Sequence, residues 1–209
     1  MHNDKSTNWL KVEAIIRDLI VASIIVTGII ASINILFGKK IKSAIELVDM
    51  VSINTNSNIL SEIKFDENIH EITEYPEYGT RYGNIRIDDL DINLPLYYGD
   101  KLSILKNGVG QSSGAYFPGE GGSIICMGHN TKTFLYHLPE IHKNQDIVVQ
   151  TTYGEYTYKV YQTKIVNMYD VDELPVQKDE EILMLYTCYP VNGLGHKKDR
   201  FVAFAKRIN

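Results

Sequence analysis

The sequence predicts an all-β domain, built as a barrel or sandwich with a few short helical turns, behind one apolar segment. Short alternating segments separated by turn residues fill the last 129 residues, and nineteen consecutive uncharged residues stand near the amino terminus. The chain has 209 residues, of which 44% are hydrophobic, and a formal net charge of -5. Because a nucleic-acid-binding surface normally carries clustered basic residues and this chain has no such cluster, that class of function is excluded.

The uncharged run extends from Leu19 to Phe37, with Arg17 and Asp18 before it and Lys39 and Lys40 after it. At about 1.5 Å per residue it covers about 28 Å, close to the ~30 Å hydrocarbon thickness of a bilayer. It is longer than the apolar part of a usual signal peptide and lacks an obvious cleavage site. A transmembrane anchor is therefore predicted over 19–37, with a buried core helix or a cleaved signal peptide as alternatives. Basic residues balance on the two sides, so they do not fix the orientation.

The apolar run divides the chain into segments of different composition. Residues 1–18 form a short polar tail, and residues 38–80 are a polar stalk or linker with turn chemistry at its end. The strand-rich domain is predicted over 81–209.

Strand candidates follow one another closely within that domain. Tyr153-Gly154-Glu155 between two of them has the form of a hairpin connection, and short helical turns are predicted at Lys101–Lys106 and Thr133–Ile141. The candidates are Asn84–Ile87, Ile92–Leu96, Ile124–Gly128, Asp146–Thr152, Tyr156–Asn167, Ile182–Cys188 and Phe201–Lys206.

Three chemically active side chains stand at ends of these strands: His129, Cys188 and Arg200. A cysteine is a useful nucleophile only as its thiolate, which needs positive or polar surroundings. His129 can exchange protons with an amine. Arg200 cannot act as a base, so its contribution is charge and hydrogen bonding toward an oxyanion or a carbonyl. Thr187, beside the nucleophile, can add a hydroxyl or a backbone N–H.

Each of these residues has a structural explanation when it is considered alone. A cysteine at a strand end commonly packs, a histidine can cap a turn, and an arginine beside an apolar strand is commonly a solvated edge charge. Together they predict covalent catalysis by a thiolate. Cys126, in the middle of a strand, is expected to be a buried, inert thiol that is not bonded to Cys188.

The motifs that carry these residues resemble the sortases, membrane-anchored cysteine transpeptidases of mostly Gram-positive bacteria. The resemblance spans about residues 83–208. Its motifs are Ile92-Asn93-Leu94-Pro95-Leu96-Tyr97-Tyr98-Gly99, Asn107-Gly108-Val109-Gly110, Phe117-Pro118-Gly119-Glu120-Gly121-Gly122-Ser123, Met127-Gly128-His129, Leu183-Met184-Leu185-Tyr186-Thr187-Cys188 and Arg200-Phe201-Val202-Ala203. The family motif at this position is Thr-Leu-x-Thr-Cys. In this chain Leu183 or Met184 replaces the leading threonine and Tyr186 precedes Thr187, so details of the groove floor stay open.

The resemblance implies an eight-stranded barrel and a two-step reaction. Cys188 attacks the carbonyl of a Leu-Pro-Xaa-Thr-Gly-like sorting signal in a secreted protein and forms a thioacyl intermediate. An amine of a peptidoglycan precursor or a pilin then resolves the intermediate. His129 serves as general acid and then general base, and Arg200 as electrostatic clamp. The reaction uses no cofactor or metal.

The resemblance also implies a location and a subclass. Sortases act outside the membrane, so the tail 1–18 is expected in the cytoplasm and the catalytic domain outside a single membrane span. The compact barrel resembles class D most and class A next. Two alternatives stay open: a cysteine peptidase that only hydrolyses, and a non-catalytic β-domain that binds the cell wall.

The stretch Val166 to Glu181 is expected to be the loop that reads the sorting signal, with an ordinary surface loop as the equal alternative. Its acidic residues favour a solvated face over a calcium site. His196, in the loop between Cys188 and Arg200, is a candidate for contact with the amine, or a mobile solvent-facing histidine. The candidate pocket for the Leu-Pro pair consists of Val171, Leu174, Pro175 and Val176.

Overall fold

The computed structural model describes residues 15–29, 31–32, 60–192 and 195–209. Contacts divide the chain into two units, Met1–Ile45 and Glu46–Asn209. In the first unit, residues 15–29 and 31–32 form a helix, α1, whose side chains are exposed. The predicted anchor coincides with this helix over 19–29 and 31–32, and its remaining residues lie outside the described ones, as does the tail 1–14. Over the described residues, no helix has both the length and the apolar character to span a bilayer.

The second unit contains a closed barrel of eight strands. Its strands are β3 (Arg81–Ile87), β4 (Ile92–Tyr98), β5 (Val109–Gln111), β6 (Ser123–Gly128), β7 (Asp146–Thr151), β8 (Glu155–Asn167), β9 (Ile182–Tyr189) and β10 (Asp199–Arg207). The strand order around the barrel is β10-β8-β7-β3-β4-β5-β6-β9, and β9 pairs with β10 to close it. Neighbours are antiparallel except for the parallel pairs β4–β5 and β6–β9.

The expectation of an eight-stranded barrel is confirmed, and each strand candidate coincides with an observed strand. The short strand β5 is an addition, since none of the candidates covered it. The hairpin at 153–155 joins β7 to β8. Helical structure in the predicted turns is limited to a helix, α2, at Leu102–Leu105 and a 3-10 turn at Leu138–Glu140.

Strands β6, β9 and β10 bury side chains on both faces, which explains their nearly continuous apolar runs. Alternate residues of β9, such as Leu183 and Leu185, belong to the large core inside the barrel. The residues between them point to the opposite face and form a second buried group. This group, the outer-face cluster, consists of Ile125, Val166, Met184, Val202 and Phe204.

Part of the predicted stalk packs on the barrel. Residues 64–66 and 71–74 form a hairpin of two strands, β1 (Lys64–Asp66) and β2 (Glu71–Glu74). Ile63 and Ile72, in and beside this hairpin, are buried in the barrel core. The described part of the stalk, 60–80, therefore belongs to the same folded unit as 81–209. The sequence indicated a linker because the two short strands there are rich in polar residues.

Two buried carboxylates fasten the loop between β5 and β6. Glu120 accepts hydrogen bonds from the backbone N–H groups of Ile72 at 3.2 Å and Phe117 at 2.8 Å. Glu181 accepts hydrogen bonds from the backbone N–H groups of Gly119 and Gly121, both at 3.0 Å. Both side chains are buried, so their charges are stabilised by these donors instead of water. The loop, residues 112–122, is thus held to the hairpin on one side and to β9 on the other.

Candidate active site

The three candidate catalytic residues lie on or directly after three neighbouring strands. β9 is placed between β6 on one side and β10 on the other. Cys188 is the next-to-last residue of β9, Arg200 is the second residue of β10, and His129 follows the last residue of β6. The barrel thereby brings together three positions that are separated by up to 71 residues in the chain.

Cys188 and Arg200 are directly opposite one another in the antiparallel pair of β9 and β10. Residues paired in this way project from the same face, with Cβ atoms about 4.5–5.5 Å apart. Leu185 and Phe201 point into the barrel, and side chains alternate between the two faces of a strand. Cys188 and Arg200 therefore lie on the other face, which bears the outer-face cluster. Cys188 is a free, partly exposed thiol. A nucleophile and a fixed cation therefore share one surface.

His129 continues β6 beside the nucleophile. Gly128 pairs with Thr187 in the parallel ladder, so the next residues along the two strands are His129 and Cys188. The imidazole packs edge-on to Phe134, with ring centres 6.2 Å apart. Burial lowers the pKa of His129 below its ordinary 6.5. The imidazole is therefore neutral at pH 7 and able to accept a proton.

The second ring nitrogen of His129 has an unusual environment. Within the described ranges, its Nε2 is buried and has no hydrogen-bond partner. A buried polar atom without a partner is costly and calls for an explanation, of which a catalytic role is one. The nitrogen is not engaged by another protein group in the described ranges.

Arg200 is held by backbone carbonyls on its own side of the site. Its Nη1 donates to the carbonyl of Lys197 at 2.8 Å and to that of Asp199 at 2.9 Å, and its Nη2 lies 3.9 Å from Met168 Sδ. Across the part of the chain that the structure describes, no carboxylate forms an ion pair with it. Its positive charge is oriented but not neutralised, which suits a developing oxyanion.

Thr187 has a different position from the one its sequence neighbours suggested. Its side chain is buried on the interior side of β9, opposite to Cys188. Its hydroxyl donates to the carbonyl of Gly128 at 2.9 Å. The hydroxyl therefore fastens β9 to the end of β6, just before His129, and does not face the substrate side.

The candidate substrate residues are distributed around the outer-face cluster. Leu174 packs against that cluster, whereas Pro175 and Val176 are exposed beside it. Val171 begins a 3-10 turn, and its side chain lies outside the described ones. The loop itself is shorter than expected: Val166 belongs to β8 and is buried, and the loop covers 168–181.

The loop between Cys188 and Arg200 carries the last candidate. His196 is exposed there, and the preceding residues 193–194 lie outside the described chain. Lys197 is closer to the catalytic residues: its Nζ donates to the carbonyl of Val191 at 3.3 Å, and burial lowers its pKa. Sequence reasoning missed Lys197, and nothing in the Lys-Lys pair before Asp199 distinguishes it from a surface lysine.

Tyr186 is a second residue that sequence reasoning did not assign to the site. It lies two residues before Cys188 on the same face of β9, and its hydroxyl is 3.1 Å from Met127 Sδ. Burial raises its pKa, and the nearby Arg200 partly opposes this rise. Strand alternation was the signal that could have assigned it to the groove floor.

The acidic residues of the loop are not gathered around a common point. Glu173 forms an ion pair with Lys164, and Glu180 forms one with Lys206 at 2.9 Å. Among the residues with described positions, no three His, Cys, Asp or Glu side chains are arranged to hold a metal ion.

Comparison with known proteins agrees with the site geometry. A family model described as the sortase domain matches residues 85–208. Among curated proteins, Sortase D of Bacillus subtilis (strain 168) is 33% identical over 133 residues, which cover 64% of this chain and 67% of that protein.

Solved structures with the same fold include three from two bacterial genera. A Clostridium perfringens Sortase D5 transpeptidase has a TM-score of 0.59 at 23% identity and covers 65% of this chain and 84% of its own, which shows a common fold. Sortase C1 from Streptococcus agalactiae has a TM-score of 0.57 at 25% identity, covering 66% and 72%. Sortase C from Clostridium perfringens SM101 has a TM-score of 0.55 at 27% identity, covering 78% and 90%.

Proposed function

Because this chain belongs to the sortase family of cysteine transpeptidases, we propose that it cleaves a Leu-Pro-Xaa-Thr-Gly-like sorting signal and transfers the acyl part to an amine. The donor is a secreted protein, and the amine belongs to a peptidoglycan precursor or a pilin. One observation carries the proposal: Cys188 is paired with Arg200 and flanked by the strand that leads into His129, on the face that also bears the outer-face cluster.

The first step forms the thioacyl intermediate. The sulfur of Cys188 bonds to the carbonyl carbon of the threonine, and its proton passes to the neutral imidazole of His129. The carbonyl oxygen becomes an oxyanion, which the guanidinium of Arg200 stabilises by charge and hydrogen bonding. When the carbon–nitrogen bond breaks, the imidazolium gives its proton to the departing amine.

The second step reverses these roles. The acceptor amine attacks the thioester carbonyl and loses a proton to His129, and Cys188 leaves as thiolate and regains a proton. Arg200 again faces the oxyanion. The protons and electron pairs balance without a further reactant, and water in place of the amine gives hydrolysis.

The outer-face cluster is a suitable floor for the apolar part of the signal. It extends from the catalytic residues along β6, β9 and β10, and Leu174 of the 168–181 loop packs against it. The leucine and proline of the signal precede the scissile bond, so an extended peptide with its threonine at Cys188 directs them over this apolar floor.

We place the catalytic domain outside the cell membrane, with residues 19–37 as the anchor and residues 1–18 in the cytoplasm. The uncharged composition of 19–37 and the helical state of 19–29 and 31–32 support this assignment. Fractionation of cells that produce the full chain, followed by protease treatment of intact cells without their wall, tests it. The assignment is contradicted if the protein is recovered in the soluble fraction and resists protease added to the intact cells.

The activity is tested with a peptide that carries the sorting signal and with a separate amine such as triglycine. Wild-type protein is expected to give a Cys188 adduct whose mass is that of the protein plus the peptide minus the released glycine-side fragment, since the thioester forms as the amine departs. With the amine present, the ligated peptide is expected to dominate over the hydrolysed one. Activity that persists in Cys188→Ala sinks the proposal, and hydrolysis that is indifferent to the amine identifies a peptidase.

A further inference from the structure

A cavity of about 320 Å³ lies beside the outer-face cluster and is not used by the reaction described above. Its walls come from four separate parts of the chain: the segment that leads into the barrel, the end of β4, the 112–122 loop and the 168–181 loop. Four of the nine lining residues are aromatic, namely Tyr75, Tyr98, Tyr116 and Phe117, and Val176 comes from the 168–181 loop.

The cavity is continuous with the outer-face cluster. Ala115 lines the cavity and also packs against that cluster. Leu174, which packs on the cluster, is two residues from Val176 of the cavity wall. A peptide that lies on the cluster is therefore directed toward the mouth of the cavity.

The distance from Cys188 follows from the strand register. The 112–122 loop is fixed to β6 because the N–H of Ser112 donates to Ile125 and the N–H of Tyr116 donates to Ser123, both at 2.9 Å. Ile125 and Ser123 are paired with β9 residues that precede Cys188 by four and six positions. At about 3.3 Å per residue, the cavity is about 13–20 Å from the nucleophile along the strand.

An extended peptide covers this distance in a definite number of residues. With the threonine of the signal at Cys188, its leucine is three residues away, or about 10 Å at 3.3 Å per residue. The span of about 13–20 Å then corresponds to the first three residues on the amino-terminal side of that leucine. The cavity is therefore within reach of the substrate protein just before its sorting signal.

The lining indicates an apolar occupant. The carboxylate of Glu120 also borders the cavity, but it already accepts hydrogen bonds from Tyr75 Oη at 2.9 Å and from two backbone N–H groups. Its charge is thus satisfied by the protein. Tyr75 and Val176 are 55% and 53% exposed, so an apolar side chain between them removes their surface from water.

We propose that this cavity is a substrate subsite for an apolar or aromatic side chain one to three residues before the leucine of the sorting signal. The inference rests on the proposed function, since it takes the direction of the substrate from it. It adds a preference for sequence outside the sorting signal, which selects among secreted proteins that carry the same signal.

The test compares peptides that differ only in a three-residue extension before the leucine. The extensions are Gly-Gly-Gly, the three single phenylalanine substitutions of it, and the three single lysine substitutions. We expect at least one phenylalanine peptide to have a kcat/KM about 10-fold above that of the glycine peptide, through a lower KM. Burial of part of the apolar surface of the phenyl ring accounts for an effect of this size. Equal values for all extensions, or a preference for lysine, overturn the proposal.

Two variants at one position provide matched controls. Tyr75→Ser removes the aromatic wall and is expected to abolish the phenylalanine preference while the glycine peptide reacts as in wild type. Tyr75→Phe keeps the ring and loses only the hydrogen bond to Glu120, so it is expected to keep the preference. A preference that survives Tyr75→Ser contradicts the assignment of the subsite.

Equilibrium binding of the same peptides to Cys188→Ala separates this inference from the proposed function. If wild-type protein cleaves none of the peptides, the proposed function fails. The binding of the peptides to Cys188→Ala still shows whether the cavity holds an apolar side chain. Tighter binding of a phenylalanine peptide supports the subsite, and equal binding of all peptides refutes it.

Discussion

At the scale of single residues, the two cysteines differ in what surrounds them. Cys126 is fully buried in the barrel core, and burial raises its pKa well above the ordinary value of 9.0. Cys188 is partly exposed beside the cation of Arg200. Since thiolate formation and access both control cysteine chemistry, the two thiols are expected to react at very different rates.

Limited alkylation measures that difference. Treatment of the native protein with iodoacetamide is expected to add one group, at Cys188, and treatment in guanidinium chloride is expected to add two. The Cys188→Ser variant should remain unlabelled while it is folded. Labelling of Cys126 in the native state at a comparable rate contradicts the burial of this thiol.

His129 makes stability depend on pH in a direction that follows from its environment. Its pKa is lowered from 6.5 by burial, so the unfolded chain binds a proton here at a higher pH than the folded chain does. The free energy of unfolding is therefore expected to fall as the pH decreases through 6.5, and to level off once the folded imidazole is protonated as well. The slope from one such group is at most about 1.4 kcal/mol per pH unit.

Urea unfolding of wild type and His129→Gln at several pH values between 7.5 and 5 isolates this contribution. The variant is expected to lose less stability on acidification than wild type. His137→Gln, which removes an exposed histidine that contacts Glu140 at 2.8 Å, is the control for the loss of a histidine at the surface. Parallel curves for wild type and His129→Gln show that the histidine is not responsible.

At the scale of elements, the join between the 112–122 loop and β9 depends on Glu181. Its carboxylate accepts two backbone N–H groups, the hydroxyl of Tyr158 at 2.7 Å and an N–H of Arg207 at 3.1 Å. We expect Glu181→Ala to lower the free energy of unfolding by on the order of 3 kcal/mol, because it leaves buried donors without an acceptor.

The preceding residue offers a control with the same change in charge. Glu180 forms an exposed ion pair with Lys206, and exposed pairs contribute about 0–1 kcal/mol. Chemical denaturation of Glu180→Ala should therefore show a loss several-fold smaller than that of Glu181→Ala. Equal losses in the two variants mean that total charge, not the buried network, controls stability here.

The long strands were predictable from the sequence and the short ones were not. The strands around Ile125, Leu185 and Val202 are apolar over four or five consecutive residues, because both of their faces are buried, and turn residues flank them. Strand β5 has three residues and depends on pairing with β4 and β6. Its formation is a tertiary effect, which local propensity does not contain.

At the scale of the whole molecule, the β1–β2 hairpin is part of the barrel's stability. Ile72 is 5% exposed and lies in the main core, whereas Ile69 in the turn of the same hairpin is 58% exposed. We expect Ile72→Ala to cost about 2–5 kcal/mol because it opens a cavity in the core. Ile69→Ala should stay within about 0.5 kcal/mol of wild type.

Thermal and chemical unfolding of the two alanine variants distinguish a docked hairpin from a loose stalk. A large effect at Ile72 with none at Ile69 is the expected result. If both variants unfold as wild type does, the hairpin contributes nothing to the barrel.

The composition of the candidate site was predictable, but its geometry depends on the barrel as a whole. His129, Cys188 and Arg200 could be selected from the sequence because each stands at the end of an apolar run. Strand alternation places Tyr186 on the face of Cys188 and Thr187 on the opposite face, but which of the two faces lies inside the barrel has no signal in β9, because both are apolar. The aromatic cavity unites residues from 75 to 176, and such long-range proximity has no local signal in the chain.

The pairing of β9 with β10 has a consequence for biosynthesis. β10 follows all other barrel strands in chain order, pairs with both β8 and β9, and carries Arg200. Because the ribosome synthesises the chain from its amino terminus, His129 and Cys188 are present before Arg200 is. The pairing of β10 with β8 and β9 therefore closes the barrel and completes the set of three reactive side chains in one step.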